Sequence, residues 1–218
     1  MSTALKIDFV SDVSCPWCVV GLRALNQALA DLGDEVKAEI HFQPFELNPK
    51  MPAEGQDLNE HIFEKYGSTP EQSKQNREMI RQRGAELGFT FSQGDRRIYN
   101  TFDAHRLLHW AELEGKQQAL KEALFAAYFT DHADPSNHDV LANVAERVGL
   151  DRQRAESILA SGEYSAEVRE IEQLWVSRGV SSVPTIVFND RYAVSGGQPV
   201  EAFANAIRQI ISESLVVQ

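Results

Sequence analysis

The chain has 218 residues, of which 43% are hydrophobic and 24% charged, the proportions of a globular fold rather than of a disordered or collagen-like chain. Acidic side chains outnumber basic ones by 32 to 21, and the formal charge of -11 argues against a nucleic-acid or anionic-membrane partner. No apolar run approaches the length of a membrane span. Met1–Lys6 lacks the basic patch and apolar run of an export signal, so the expected compartment is the cytoplasm.

Leu5 to Val10 predicts a short, mostly buried strand. It runs into Cys15-Pro16-Trp17-Cys18 and then a helix to about Leu32, in which Val19, Leu22, Leu25 and Leu29 recur at helical spacing before Gly33 stops it. Val36 to Phe45 alternates as a second strand, and Pro44, Pro49 and Pro52 then break the pattern. Five helical segments follow. Ser68-Thr69-Pro70 starts one that stops at Gly88. The others run from Asn100 to about Gly115, from Gln117 to Thr130, from Pro135-Ser136-Asn137 to Gly149, and from Asp151 to Gly162.

Mixed patterning then returns. Ser165 to Arg178 predicts a helix stopped by Gly179. Thr185 to Phe188 predicts a strand, Asn189-Asp190 a hairpin turn, and Tyr192 to Val194 the return strand. Pro199 opens a last helix with Val200, Phe203, Ala204, Ile207 and Ile210 on one stripe. This order predicts an α/β thioredoxin fold with an all-helical insertion after the second strand. Residues 1–48 and 163–218 would build the sheet domain, and residues 49–162 the insertion.

The two cysteines stand three apart, too few and too close for a secreted disulfide scaffold. Cys15 follows a strand and opens a helix, where unpaired N–H groups and a partial positive charge favour a thiolate. The thiolate is the attacking species in disulfide exchange, and Cys18, one turn on, can resolve the mixed disulfide. Pro16 suits the first turn, where its missing N–H costs nothing, and stiffens the loop between the sulfurs. A structural disulfide or half of a zinc site are the alternatives, although zinc would need two histidines to complete it. The expectation is therefore a redox dithiol with no metal.

Val183-Pro184-Thr185 reads either as a proline capping a strand or as a cis proline facing the cysteines. The combination of Cys-Pro-x-Cys early, a helical insert and Val-Pro-Thr late resembles the DsbA-like branch of the thioredoxin superfamily, and within it the FrnE-like group of dithiol–disulfide oxidoreductases and isomerases. The residues that carry the resemblance are 11–18 (SDVSCPWC), 44–49 (PFELNP), 100–106 (NTFDAHR) and 195–199 (SGGQP). It implies that Pro184 is a cis proline beside the disulfide and that the backbone of Val183 pairs with an extended substrate. Asp8 would be a buried acid that takes the proton of Cys18, although its spacing to Cys15 is one residue longer than the usual pattern. Its alternative is a strand-end aspartate facing solvent.

Other residues read as follows. Periplasmic DsbA proteins carry histidine where this chain has Trp17. An indole stabilises a thiolate less than an imidazole does, so a weaker oxidant, closer to thioredoxin, is expected. Trp17 is also either an apolar platform for unfolded chains or packing over the loop. His105 and His109 share a helix face, but Arg106 stands where a zinc-protease motif needs Glu. Following the resemblance, their helix lines the groove facing Cys15; alternatively it is structural. Gly196-Gly197 is too short for a phosphate loop and would let backbone pass close to the site. Arg96-Arg97 is expected to be a solvated basic spot.

The function expected is a thiol–disulfide oxidoreductase or isomerase acting on protein or small-molecule disulfides. It needs no bound cofactor, and glutathione or another cellular thiol is its redox partner. Rival readings are a glutathione-dependent isomerase or transferase of the kappa-class type and a holdase-like chaperone. Any of these is compatible with a homodimer.

Overall fold

A computed structural model describes residues 3–216. Its four-stranded sheet is built from β1 (Thr3–Ser11), β2 (Val36–Pro44), β5 (Thr185–Phe188) and β6 (Tyr192–Ser195) in the order β2-β1-β5-β6. β2 runs parallel to β1, β5 antiparallel to β1, and β6 antiparallel to β5. β1 is thus a central strand, and its residues from Ile7 to Ser11 are all buried. The β5–β6 connection turns at Asn189 and Asp190, with φ values of 49° and 56°, and the Arg191 amide closes it by donating to the Phe188 carbonyl at 3.0 Å.

α1 (Pro16–Leu32) and α9 (Val200–Val216) pack together on one face of the sheet. Leu5, Ile7 and Phe9 of β1 meet Leu22, Leu25, Phe203 and Ile207 there. α8 (Ser165–Ser177) covers the opposite face, where Val10 packs with Trp175 and Val180.

The insertion holds α2 (Leu58–Tyr66), α3 (Pro70–Glu86), α4 (Phe102–Leu113), α5 (Gln117–Phe129), α6 (His138–Arg147) and α7 (Arg152–Ser161). It is helical apart from a two-residue antiparallel pair, β3 (Gln56–Asp57) with β4 (Arg97–Ile98). α2 was not expected from the apolar pattern. It buries only Leu58 and His61, too few for a stripe, and is held at its ends instead. Asp57 accepts from the amides of Asn59 and Glu60, and Gly67 closes it at φ 65°. α3 starts as expected, with a full capping box between Thr69 and Gln72. No helix among the described residues is long and apolar enough to cross a membrane.

α5 belongs to two cores. Leu120, Leu124 and Ala127 pack with Leu107, Leu141 and Ile158 inside the insertion. Phe125, Tyr128 and Phe129 join the core of the sheet domain. The first residue of α5 also closes the edge of the sheet. Gln117 accepts from the Phe42 amide at 2.8 Å and donates to the Phe42 carbonyl at 3.0 Å, as a neighbouring strand would. Gln117→Leu keeps the volume but orphans two buried backbone groups. It is expected to cost about 2–4 kcal/mol in urea unfolding.

Candidate active site

Cys15 is the N-cap of α1, with extended backbone (φ -91°, ψ 113°), and Pro16 is the first helical residue. The loop before it is closed by two short bonds. The Cys15 amide donates to the Asp12 carbonyl at 3.2 Å, and the Cys18 amide to the Cys15 carbonyl at 3.1 Å. Both cysteines are free thiols and both are buried, Cys15 4% exposed and Cys18 0%. From the far end of the chain, Val183 brings its carbonyl oxygen to 3.6 Å from the Cys15 sulfur, and the Val183–Pro184 peptide is cis.

Small residues let these segments meet. A Cβ on Gly21 of α1 would lie 3.1 Å from the Pro184 ring and 3.5 Å from Gly197. A Cβ on Gly197 would lie 3.0 Å from both the carbonyl oxygen and the ring of Trp17. Gly196, at φ 82°, turns the chain there, and its amide donates to the Pro184 carbonyl at 2.8 Å. Trp17 is therefore half-buried packing between this loop and Arg83, whose guanidinium lies 5.4 Å from its ring centre.

Three expectations are corrected. Asp8 is buried, but it faces away from α1. Side chains alternate along a strand, and Ile7 and Phe9 take the α1 face. The Asp8 carboxylate accepts from Gln43 at 2.7 Å and pairs with Lys6 at 3.1 Å. His105 does not line a groove, being 3% exposed beneath the cysteine loop. Its Nε2 lies 3.6 Å from the Asp12 carboxylate and has no hydrogen-bond partner among the described residues. Arg96, expected to be solvated, lies over the rings of Tyr128 and Phe129.

Asp12 organises the floor of the site. Its carboxylate accepts from the Ser14 amide at 3.2 Å and the Leu47 amide at 2.7 Å. Burial works against the ionised form, but His105 and these two amides outweigh it and hold the carboxyl below its ordinary range. Behind Asp12, α5 places Lys121, fully buried and unnoticed in the sequence. It occupies the apolar face of α5, four residues before Phe125, and that misplacement of a charge is the signal that could have found it. Burial brings its pKa down to about 8, opposed by Cys18, Asp12 and Cys15. The unexpected α2 contributes Tyr66, whose phenol is pushed up by burial and then by the charge of Cys15.

Beside Pro16 opens a groove of about 480 Å³ lined by Lys74, Arg77, Arg81 and Arg96 against Glu78 and Asp95. It is a net basic surface on an acidic chain. No cluster of three or more His, Cys, Asp or Glu among the described residues could hold a metal ion.

Paired thiols at a helix start, set against a cis-proline loop at the end of a central strand, define a thioredoxin-fold dithiol protein. The chain belongs to the DSBA-like thioredoxin domain family, whose pattern it matches over residues 6–208. It is 26% identical over 204 residues to the uncharacterized protein YwbO of Bacillus subtilis, covering 93% of this chain and 96% of that one. The crystal structure of a probable DsbA oxidoreductase from Streptomyces coelicolor superposes with a TM-score of 0.87 at 32% identity, covering 94% of this chain and 89% of that one. The cytosolic disulfide reductase DsbM from Pseudomonas aeruginosa, solved with GSH, shares the fold at a TM-score of 0.62 and 14% identity, covering 94% of this chain and 98% of that one.

Gly197→Ala is expected to cost about 1–3 kcal/mol of stability and to shift tryptophan fluorescence, because the added methyl meets Trp17 backbone that cannot yield. Asp12→Asn tests the floor. With its folded pKa below the ordinary 3.8, Asp12 adds stability above that pH and loses it as pH falls through the lowered value. The variant should melt lower than wild type at neutral pH, and the gap should close in acid.

Proposed function

We propose that this protein is a cytoplasmic dithiol–disulfide oxidoreductase working in the reducing or isomerising direction. The observation that carries the reading is the Cys15 sulfur at the start of α1, 3.6 Å from the Val183 carbonyl, with Cys18 buried one turn on. The Cys15 thiolate attacks a substrate disulfide, forms a mixed disulfide and releases one substrate sulfur, which takes a proton from water. Cys18 then attacks the Cys15 sulfur, forms the enzyme disulfide and releases the second substrate thiol. The Val183 backbone would align an extended substrate segment beside Cys15, as a strand is added to a sheet edge.

The enzyme disulfide is reduced by a cellular thiol. The groove beside Pro16 supports a thiol bearing carboxylates, because its cations outnumber its acids. Glutathione has that chemistry, and the similarity in fold to a disulfide reductase solved with GSH agrees with it. Trp17 between the cysteines offers the thiolate less stabilisation than an imidazole would, which favours a reducing poise.

Titration in glutathione redox buffers, followed by tryptophan fluorescence and thiol alkylation, tests the reading. A reversible two-electron couple is expected, lying nearer thioredoxin's potential of about -270 mV than DsbA's of about -120 mV, and lost in Cys15→Ser. Absence of any reversible couple would sink the proposal.

A further inference from the structure

The reaction above leaves one proton without an acceptor. Cys18 must ionise to resolve the mixed disulfide, yet burial, then the hydrogen bond and charge of Cys15, push its thiol well above the ordinary cysteine range. Asp8, in the strand before the cysteines, is engaged with Gln43 and Lys6 on the other face of the sheet.

Among the buried groups left without a hydrogen bond is a lysine amine. Lys121 is 0% exposed, and its Nζ makes no hydrogen bond among the described residues. Phe125, which shares the core of the sheet domain with Cys15 and Cys18, has its ring centre 5.0 Å from Nζ. The charged and titratable groups acting on it are Cys18 and Cys15 at the start of α1 and Asp12 in the loop before them. His105 of α4 is paired with that same Asp12. A lysine is among the costliest side chains to bury without a partner. Fold stability therefore gives no reason for an unbonded lysine in this core.

We propose that Lys121 is the proton acceptor of Cys18, an inference that rests on the dithiol reading. The neutral amine takes the proton from the Cys18 sulfur, leaving a thiolate beside an ammonium. The thiolate attacks the Cys15 sulfur, the Cys15–Cys18 bond forms, and the bond to the substrate sulfur breaks. That sulfur leaves with the electron pair and is protonated by water. When an external thiol reduces the enzyme, Cys18 departs as a thiolate and recovers the proton from Lys121. A pKa of about 8 keeps both forms of the amine available near neutral pH. The flexible stem, pinned by no bond, lets Nζ close on the sulfur, and catalytic hydrogen bonds often tighten only in the reacting complex.

Stopped-flow mixing of the reduced full-length protein with an aromatic nitrobenzoate disulfide separates the two steps. The first coloured thiol is released as Cys15 attacks and the second as Cys18 resolves, and Cys18→Ser identifies the second phase by losing it. Lys121→Met should leave the first phase unchanged and slow the second on the order of 100-fold. In wild type the second phase should rise with pH and level off above about 8, an inflection that the variant loses. The variant should melt at or above wild type, since an uncompensated buried charge is replaced by an apolar chain of similar length. An unchanged second phase in Lys121→Met overturns the proposal. So does a wild-type second phase that climbs without inflection, a result that needs no variant to fold. A wild-type protein lacking even the first phase would remove the dithiol reading on which the proposal stands.

Discussion

A strand paired on both edges has no free backbone, and one covered by helices on both faces has no wet side. β1 meets both conditions, between β2 and β5 and between α1 and α8. Its register is fixed accordingly, because a slip of one residue would turn Ile7 and Phe9 out of the core and Asp8 into it. That register decides where the chemistry lies. Val10 sits opposite Thr185, so the loop that ends β1 and the Val183–Pro184 segment that begins β5 emerge side by side. Cys15 and Val183, 168 residues apart along the chain, meet because of a ladder between two strands.

Around that meeting point the protein buries more titratable groups than a stable core would choose. Asp12, His105 and Lys121 lie beneath the cysteine loop, and Glu46 lies nearby with Arg169 and Glu172. Burial and then the charge of Glu172 push the Glu46 carboxyl up, and Arg169 opposes them. Each such group is costly unless bonded. Asp12 is bonded on both oxygens, whereas Lys121 is not bonded at all. The uneven satisfaction separates a group that shapes the loop from one left free to change its protonation state.

The frame of the molecule was legible in the sequence because its signals are local. The strand before Cys15, Gly33 after α1, the Asn189-Asp190 turn and the apolar stripe of α9 each follow from a short pattern. The Val183-Pro184 segment was legible only through its combination with the cysteine motif. α2 escaped notice because its stability comes from Asp57 and Gly67 rather than from an apolar stripe. Asp8 and His105 were recognised as residues of interest, but their directions depend on which faces Phe9 and Asp12 occupy, a property of the assembled sheet. Lys121 was hidden for the opposite reason. A lysine in a helix ordinarily reads as solvated; its place on the apolar face four residues before Phe125 was the one local sign to the contrary, and the packing of α5 on two sides leaves it no route to water.

α5 is shared between structures that would otherwise be separable. One side of it completes the insertion, another completes the sheet domain, its first residue closes the edge of β2, and its middle buries the Lys121 amine. Local unfolding of such a helix cannot be a private event. Any fluctuation that frays it opens both cores, bares a strand edge to pairing with another chain, and admits water to the resolving sulfur. The insertion and the sheet domain are therefore expected to open as one cooperative unit in hydrogen exchange, exposing the resolving sulfur and the strand edge together.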